Sequence, residues 1–125
     1  MLIVEDDRML QKALALRLGG KATVLSAHTL AEARELFVGN PDIGVVVLDG
    51  CLRSAFQAQT PDTLPLIPEI RKTFCGPIIA ASSIPRFRQM MMEIGCDHDC
   101  EEKRELPRQI CRLLEERVNP GKEAS

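Results

Sequence analysis

The stretch LIVEDD at residues 2–7 is an apolar run that ends at three acids, and VVVLD at residues 45–49 repeats the pattern. Short β-branched apolar runs of this kind are typical of buried strands in a parallel sheet. Glu5, Asp6 and Asp49 are therefore expected at the carboxyl ends of strands, the edge at which open α/β sheets bind ligands. Carboxylates that meet there repel one another unless a hard cation neutralises them. The two stretches predict an α/β fold with an acidic Mg²⁺ site.

The composition excludes several classes of function. The 125 residues, the length of one ordinary domain, are 45% apolar and 27% charged, with a formal net charge of −2. A chain of this charge without Trp or Tyr is not expected to bind nucleic acid directly, and no apolar stretch approaches the roughly 20 residues of a membrane span. Five cysteines, an odd number, and the absence of a secretory signal pattern predict free thiols in a cytoplasmic protein.

Strand and helix patterns alternate along the chain. Apolar β-branched runs predict the strands, at residues 2–4, 22–25, 44–48, 77–81 and 96–100. Amphipathic periodicity predicts the helices, at residues 8–18, from the Thr29 capping box to Gly39, at 66–74, at 85–94 and from Pro107 to Val118. A connection from Gly50 to Pro65 carries few periodic signals.

Five β-α repeats in succession predict one parallel sheet with helices on both faces. We therefore predict an α/β protein with a doubly wound, five-stranded parallel sheet in a three-layer α/β/α arrangement. One domain is expected over residues 1–118, followed by a disordered polar tail at residues 119–125.

Five segments, in their order and spacing, resemble the receiver domains of two-component response regulators. They are LIVEDD at 2–7, VVVLD at 45–49, PIIAASS at 77–83, MEIGCDH at 92–98 and the final amphipathic helix. The resemblance covers residues 1–118 and implies the flavodoxin-like (βα)5 fold of CheY-like domains. It also implies a phosphoprotein that regulates other proteins, rather than an enzyme.

Carried over residue by residue, the resemblance assigns roles to five positions. Asp49 would accept the phosphoryl group, and Glu5 and Asp6 would form the acidic pair of a Mg²⁺ site. The main-chain carbonyl of Cys51, two residues after Asp49, would also reach the metal. The hydroxyl of Ser82, at the end of the fourth strand, would donate a hydrogen bond to a phosphoryl oxygen. Such a site works by positioning and by neutralising charge, which is what phosphoryl transfer to a carboxylate requires.

The lysine expected to contact the phosphoryl group is displaced by one residue. In the family it comes seven residues after the glycine that ends the fourth helix, a position that Glu102 occupies here. Family members often have a proline four residues after the lysine and apolar residues seven and eleven residues after it. Counted from Lys103, these positions are Pro107, Ile110 and Leu114. We therefore assign the lysine role to Lys103 and place a one-residue insertion in the fifth strand or its exit.

Other departures from the family pattern surround the site. Arg104 follows the lysine where a proline is usual, and Asp99, beside His98, stands where the family has an aromatic residue that reorients on activation. The connection after Asp49 is also longer than usual and lacks the usual proline-glycine turn. These departures favour an alternative hypothesis, a degenerate receiver that acts as a phosphorylation-independent protein-interaction module.

The fifth predicted strand offers a second possible metal site. Cys96, His98 and Cys100 have the spacing that a regular strand places on one face. With Cys111 of the last helix they could supply zinc ligands. The alternative is that these cysteines are small apolar side chains of a core strand.

The leading hypothesis from the sequence is a stand-alone receiver. A sensor histidine kinase or a phosphotransfer protein would phosphorylate Asp49 in a Mg²⁺-dependent reaction. The surface from the fourth helix to the last would report the state to a downstream output protein, and the domain would be a monomer or a weak homodimer. A flavin-binding or other phosphate-handling protein is a weaker alternative, because its phosphate loop would fall where this chain has three acids.

Overall fold

Strands and helices alternate from the first residues of the chain to the last described helix. The computed structural model describes residues 1–52 and 59–118, with side chains to residue 116. The strands are β1 (Leu2–Val4), β2 (Leu25–Ala27), β3 (Val46–Asp49), β4 (Ile78–Ala81) and β5 (His98–Cys100). The helices are α1 (Arg8–Leu18), α2 (Leu30–Gly39), α3 (Leu66–Arg71), α4 (Pro85–Ile94) and α5 (Leu106–Val118), with a 3₁₀ turn at Lys103–Glu105 before α5. Residues 53–58 of the long connection and the predicted tail, residues 119–125, lie outside the described residues.

The strands form one parallel sheet in the order β2-β1-β3-β4-β5. Leu2 of β1 pairs with Leu25 on one side and with Val46 on the other, and Val46 pairs in turn with Ile78. The chain continues outward in opposite directions from β1 and β3, so the carboxyl ends of these two strands flank a crevice. The predicted doubly wound, flavodoxin-like α/β/α fold is confirmed.

The sheet separates two apolar cores. Leu2 and Leu48 belong to the core beneath α2, α3 and α4, whereas Ile3 and Val47 belong to the core beneath α1 and α5. Successive side chains of a strand point to opposite faces, so each of these central strands contributes to both cores. Each helix therefore covers one face of the sheet. Among the described residues, no helix is both long enough and apolar enough to cross a bilayer.

The second strand begins later than its sequence pattern predicted. The apolar run predicted a strand at 22–25, but β2 is Leu25–Ala27. Ala22 is instead part of the turn that closes α1, where its N–H donates to the carbonyl of Leu18 at 3.1 Å. Because that N–H is already used, it is not available for the sheet.

Arg71 ties the ends of three elements together opposite the crevice. Its Nε and Nη2 donate to the carbonyl of Gly95 at 3.0 and 2.8 Å, and its Nη1 donates to the carbonyls of Gly76 and Phe74 at 2.6 and 3.3 Å. Nη2 also forms an ion pair with Asp97. One guanidinium thus satisfies carbonyls at the end of α4 and before β4, and it binds an acid just before β5.

Replacing Arg71 with methionine should lower the free energy of unfolding by about 2–4 kcal/mol, because several partly buried acceptors lose a charged donor. Urea unfolding followed by circular dichroism measures the change. Lys72→Met, at the exposed neighbouring position, is the matched control and should change the free energy by less than about 0.5 kcal/mol. Equal unfolding midpoints for the two variants would contradict a clamp at Arg71.

Candidate functional site

Carboxylates from two strands meet at the crevice between β1 and β3. Glu5 follows β1 directly, and Asp49 is the last residue of β3. Glu5, Asp6 and Asp49 each offer a carboxylate oxygen, and these oxygens lie within 4.8 Å of one another. Glu5 and Asp49 are only 4% and 8% exposed, whereas Asp6 is exposed. The structure therefore brings together the three acids that the sequence placed at strand ends, with one of them open to solvent.

The ammonium group of Lys103 lies between the two buried carboxylates. It donates to Glu5 Oε1 and to Asp49 Oδ1, the latter at 3.1 Å. Burial lowers the pKa of Lys103, but the hydrogen bond to Glu5 and the charges of Asp49 and Glu5 outweigh it, so the pKa is raised overall. Glu102 instead accepts a hydrogen bond from the exposed Arg104 at 2.6 Å. Lys103, and not its neighbour, is the residue that reaches Asp49.

The loop between β1 and α1 gives its three acids different surroundings. Asp7 is the N-cap of α1, and its Oδ1 accepts the N–H groups of Met9 and Leu10 at 3.0 and 3.1 Å. This cap explains Asp7 without a metal. The N–H of Asp7 donates to Glu5 Oε2 at 3.1 Å and so orients that carboxylate. The pKa of Asp6 is raised, first because its surroundings exclude part of its solvent and second because the Glu5 carboxylate lies beside it. A bound cation would oppose this effect.

A buried glutamine of α1 holds the strand ends next to these acids. Nε2 of Gln11, a residue that is 3% exposed, donates to the carbonyls of Ile3, Glu5 and Ala27 at 2.8, 3.2 and 3.1 Å. These bonds join the ends of β1 and β2 to α1 and fix the main chain at Glu5. Gln11 is not recognisable as a site residue from the sequence, because nothing in an amphipathic pattern indicates which carbonyls a polar side chain will meet.

Thr63 holds the long connection against the end of β3. Its side chain is fully buried, and Oγ1 donates to the carbonyl of Asp49 at 2.7 Å. The bond joins residues 14 positions apart and fixes the main chain of the predicted phosphoacceptor. Thr63 is likewise not recognisable from the sequence, because no pattern distinguishes it from its neighbours.

Ser82 lies beside the main chain that follows Asp49. It comes directly after β4, is 4% exposed, and its Oγ accepts the N–H of Ile84 at 3.2 Å. A Cβ atom at Gly50 would lie 2.9 Å from Ser82 Oγ, so any larger residue at this position would have to displace Ser82. The Ser82 hydroxyl therefore lies against the residue that follows Asp49. Its contact with a phosphoryl group stays a prediction.

Cys51 follows Gly50 and is half-buried. Its Sγ lies 3.8 Å from Asp62 Oδ2, at the other end of the long connection. The thiol is therefore turned toward Asp62, and the metal contact of the Cys51 main-chain carbonyl stays a prediction from the resemblance.

The cysteine-histidine zinc site is not formed by the described residues. β5 is His98–Cys100 rather than 96–100, because the N–H of Cys96 donates to the carbonyl of Met91 at the end of α4, at 3.1 Å. Cys96 and Cys100 consequently lie in different cores, on opposite faces of the sheet. Burial raises the pKa of Cys96 to about 12, which keeps its thiol protonated. Within residues 1–52 and 59–118, the group close enough to share a metal ion is the acidic trio.

The donor atoms of that trio suit one class of metal. Carboxylate oxygens without nitrogen or sulfur partners favour hard cations such as Mg²⁺, which is usually held by one or two carboxylates and otherwise by water. Asp6 faces solvent and leaves room for such waters, while Glu5 and Asp49 supply oxygens from within the crevice. The residues present therefore fit a magnesium ion.

Comparisons with known proteins agree on the fold. No protein-family model matches the chain, and no curated protein matches it in sequence. Among solved structures, a CheY-like response regulator receiver domain protein from Methanospirillum hungatei gives a TM-score of 0.76 at 17% identity, over 95% of each chain. The non-phosphorylated HemR receiver domain from Leptospira biflexa gives 0.73 at 26% identity, over 90% of this chain and 91% of that one.

A third similar structure is an atypical orphan response regulator described as having a phosphorylation-independent regulatory mechanism. Its TM-score is 0.69 at 14% identity, over 91% of this chain and 93% of that one. These likenesses establish that the chain has the fold of response-regulator receiver domains.

Proposed function

We propose that this chain, which has the receiver-domain fold, is a signal-transduction receiver that accepts a phosphoryl group on Asp49. One observation carries the proposal: the Lys103 ammonium contacts Asp49 and Glu5 at the crevice where Asp6 completes an acidic trio. A carboxylate nucleophile, an oxygen-ligand metal site and a cation at one point suit phosphoryl transfer, which depends on positioning and charge neutralisation.

Four groups would hold the Mg²⁺ ion: the carboxylates of Glu5, Asp6 and Asp49 and the main-chain carbonyl of Cys51. When bound, the ion would neutralise charge between the carboxylates and the incoming phosphoryl oxygens. The spacing of the three carboxylates and the solvent exposure of Asp6 support this assignment.

Each remaining residue of the site has a defined task in the transfer. An oxygen of the Asp49 carboxylate attacks phosphorus, a new P–O bond forms, and the bond from phosphorus to the donor's histidine nitrogen breaks. The imidazole leaves with that electron pair. Lys103 contributes a positive charge beside the phosphoryl oxygens, and the Ser82 hydroxyl donates a hydrogen bond to one of them. Gly50 leaves the space into which the Ser82 side chain packs, directly after Asp49 in the chain.

The phosphoryl donor is a sensor histidine kinase or a phosphotransfer protein, and the output belongs to a downstream protein. The α4-β5-α5 surface, formed by Pro85–Ile94, His98–Cys100 and Leu106–Val118, would present the phosphorylation state to that protein. The domain would act in the cytoplasm as a monomer or a weak homodimer. It would be a regulatory domain that at most catalyses its own phosphorylation and dephosphorylation.

Acetyl phosphate provides a direct test, because it needs no knowledge of the kinase. With Mg²⁺ present, the intact protein should gain the mass of one phosphoryl group. Reduction with borohydride should then locate the modification in the peptide that contains Asp49. Removing Mg²⁺ with EDTA should prevent the gain. An unchanged mass under all conditions, or a modification confined to another peptide, would refute the proposal.

The second candidate function is a degenerate receiver that works without phosphorylation. Two residues favour it: Arg104 stands where the family usually has a proline, and Asp99 stands where it has an aromatic residue. The likeness to an orphan regulator described as phosphorylation-independent also favours it. A Mg²⁺ titration followed by NMR separates the two functions. Amide shifts confined to the loops after β1 and β3 support the phosphoryl-accepting receiver, and a spectrum that Mg²⁺ does not change supports the degenerate one.

A further inference from the structure

The strand that carries the proposed phosphoacceptor extends beyond one of its two neighbours. The last pair between β1 and β3 is Val4 with Leu48, whereas the last pair between β3 and β4 is Asp49 with Ala81. Asp49 therefore has a paired residue in β4 but none in β1. A buried main-chain carbonyl at such a strand end needs a donor from outside the sheet.

Thr63 supplies this donor to the Asp49 carbonyl. Its Oγ1 donates at 2.7 Å, and the residue is completely buried. Thr63 is itself held in place, because its own carbonyl accepts the N–H of Leu66 at 3.0 Å where α3 begins. Leu66, Ile67 and Ile70 anchor that helix in the apolar core. The hydroxyl thus connects the main chain of Asp49 to a packed helix.

The same segment of the long connection also contacts the chain beyond Gly50. Cys51 Sγ lies 3.8 Å from Oδ2 of Asp62, the residue before Thr63. Two successive residues of the connection therefore contact the positions on either side of Gly50. These positions, Asp49 and Cys51, carry the proposed nucleophile and the proposed main-chain metal ligand.

We propose that Thr63 is a positioning residue for phosphoryl transfer, which acts through the main-chain carbonyl of Asp49 and not on the phosphoryl group. The inference rests on the proposed function and adds to it a residue of the long connection. In-line attack depends on where the carboxylate stands, and a misplacement of about 1 Å can cost about 10²-fold in rate. Lys103 holds the carboxylate of Asp49 at 3.1 Å, and Thr63 holds its main chain. The nucleophile is thus fixed at both ends.

Thr63→Val tests this role, because valine has the shape of threonine but no hydroxyl. The time course of modification by acetyl phosphate is followed by intact-protein mass spectrometry at saturating Mg²⁺ and at several acetyl phosphate concentrations. The maximal rate should fall about tenfold, because the carboxylate is no longer held for in-line attack. The half-saturating acetyl phosphate concentration should stay within about twofold of the wild-type value, since the groups that bind the donor are unchanged.

Three further variants separate positioning from a general loss of stability. Thr63→Ser keeps the hydroxyl and should restore the maximal rate to within about twofold of the wild type. Thr63→Ala leaves room for a water molecule beside the carbonyl, so it should fold even where the valine variant does not, and it should be slowed likewise. Ile110→Val loosens the packing of the other core, on the opposite face of the sheet. It should lower the urea midpoint but leave the rate as in the wild type.

The outcomes distinguish the positioning role from the proposed function. Wild-type rates in Thr63→Val or Thr63→Ala would overturn the positioning role and leave phosphorylation of Asp49 standing. An equal loss of rate in Ile110→Val, or no recovery in Thr63→Ser, would also overturn it, because the effect would then follow stability and not the hydroxyl. A wild type that gains no phosphoryl group would overturn both proposals.

Discussion

Asp49→Asn should accept no phosphoryl group from acetyl phosphate under conditions in which the wild type is fully modified. Asparagine has the same shape, but its amide oxygen is a far weaker nucleophile than a carboxylate oxygen. The substitution also removes one of the two carboxylates that the Lys103 ammonium contacts, so the variant retains the pair with Glu5. Intact-protein mass spectrometry in the presence of Mg²⁺ measures the outcome directly.

Asp7→Asn is the matched control for this experiment. Asp7 belongs to the same edge of the sheet but caps α1, and asparagine caps helices about as well as aspartate. This variant should fold normally and gain a phosphoryl group at the wild-type rate. Equal modification of Asp49→Asn and the wild type would show that another residue is the acceptor. A loss of modification in Asp7→Asn would show that this acid takes part in the site.

Lys103→Met should change metal binding and phosphorylation in opposite directions. The ammonium group contacts the same carboxylates that would hold Mg²⁺, so its removal should raise the Mg²⁺ affinity about tenfold, or about 1.4 kcal/mol. The rate of phosphorylation should nevertheless fall about 10²-fold, because a positive charge aimed at the phosphoryl oxygens is lost. Isothermal titration calorimetry measures the first effect, and the time course of modification by acetyl phosphate measures the second.

The same variant should also be less stable in EDTA. Glu5 and Asp49 would be left buried without a cation, which should lower the free energy of unfolding by about 2 kcal/mol. The pKa of Lys103 is raised above its ordinary 10.5, so its stabilising contribution is fully present below that pH. It is lost only as the pH rises through the folded-state pKa. The stability difference should therefore be constant from about pH 6 to about pH 9.

Lys12→Met, at an exposed position of α1, controls for the loss of a lysine charge. It should leave Mg²⁺ affinity, phosphorylation rate and stability as in the wild type. A Lys103→Met variant that gains phosphoryl groups at the wild-type rate would remove Lys103 from the proposed mechanism. Unchanged Mg²⁺ affinity would show that lysine and metal do not share the carboxylates.

The acids of the site could be placed from the sequence because they follow buried strands directly. The apolar runs end at Val4 and Leu48, and parallel strands end at the same edge of a sheet. Glu5 and Asp49, which follow these runs, could therefore be predicted to lie near each other. Alternating strand and helix patterns fixed the fold class for a similar reason, since periodicity records which faces are buried. Even the displaced Lys103 could be recognised, by counting from the helix that follows it.

The strand boundaries show where local pattern stops being sufficient. An apolar run at 22–25 is compatible with a strand, but the hydrogen bond from Ala22 to Leu18 assigns its first residues to a helix end. Cys96 and Cys100 have strand spacing, yet they lie in different cores because Cys96 remains bonded to the end of α4. Competition between neighbouring elements for the same backbone groups decides such cases.

The pattern of apolar runs and acids was sufficient to predict the layers of the fold and the strands whose ends hold the acids. The polar side chains that hold the main chain around the site became visible only in the folded domain: they are Gln11, Thr63 and Arg88, whose Nη1 donates to the carbonyl of Ser82 at 2.7 Å. Each acts through backbone carbonyls, which every residue possesses and which therefore leave no trace in a sequence. Which carbonyl a buried side chain meets depends on how helices and loops pack on the sheet, and that is settled only when the whole domain folds.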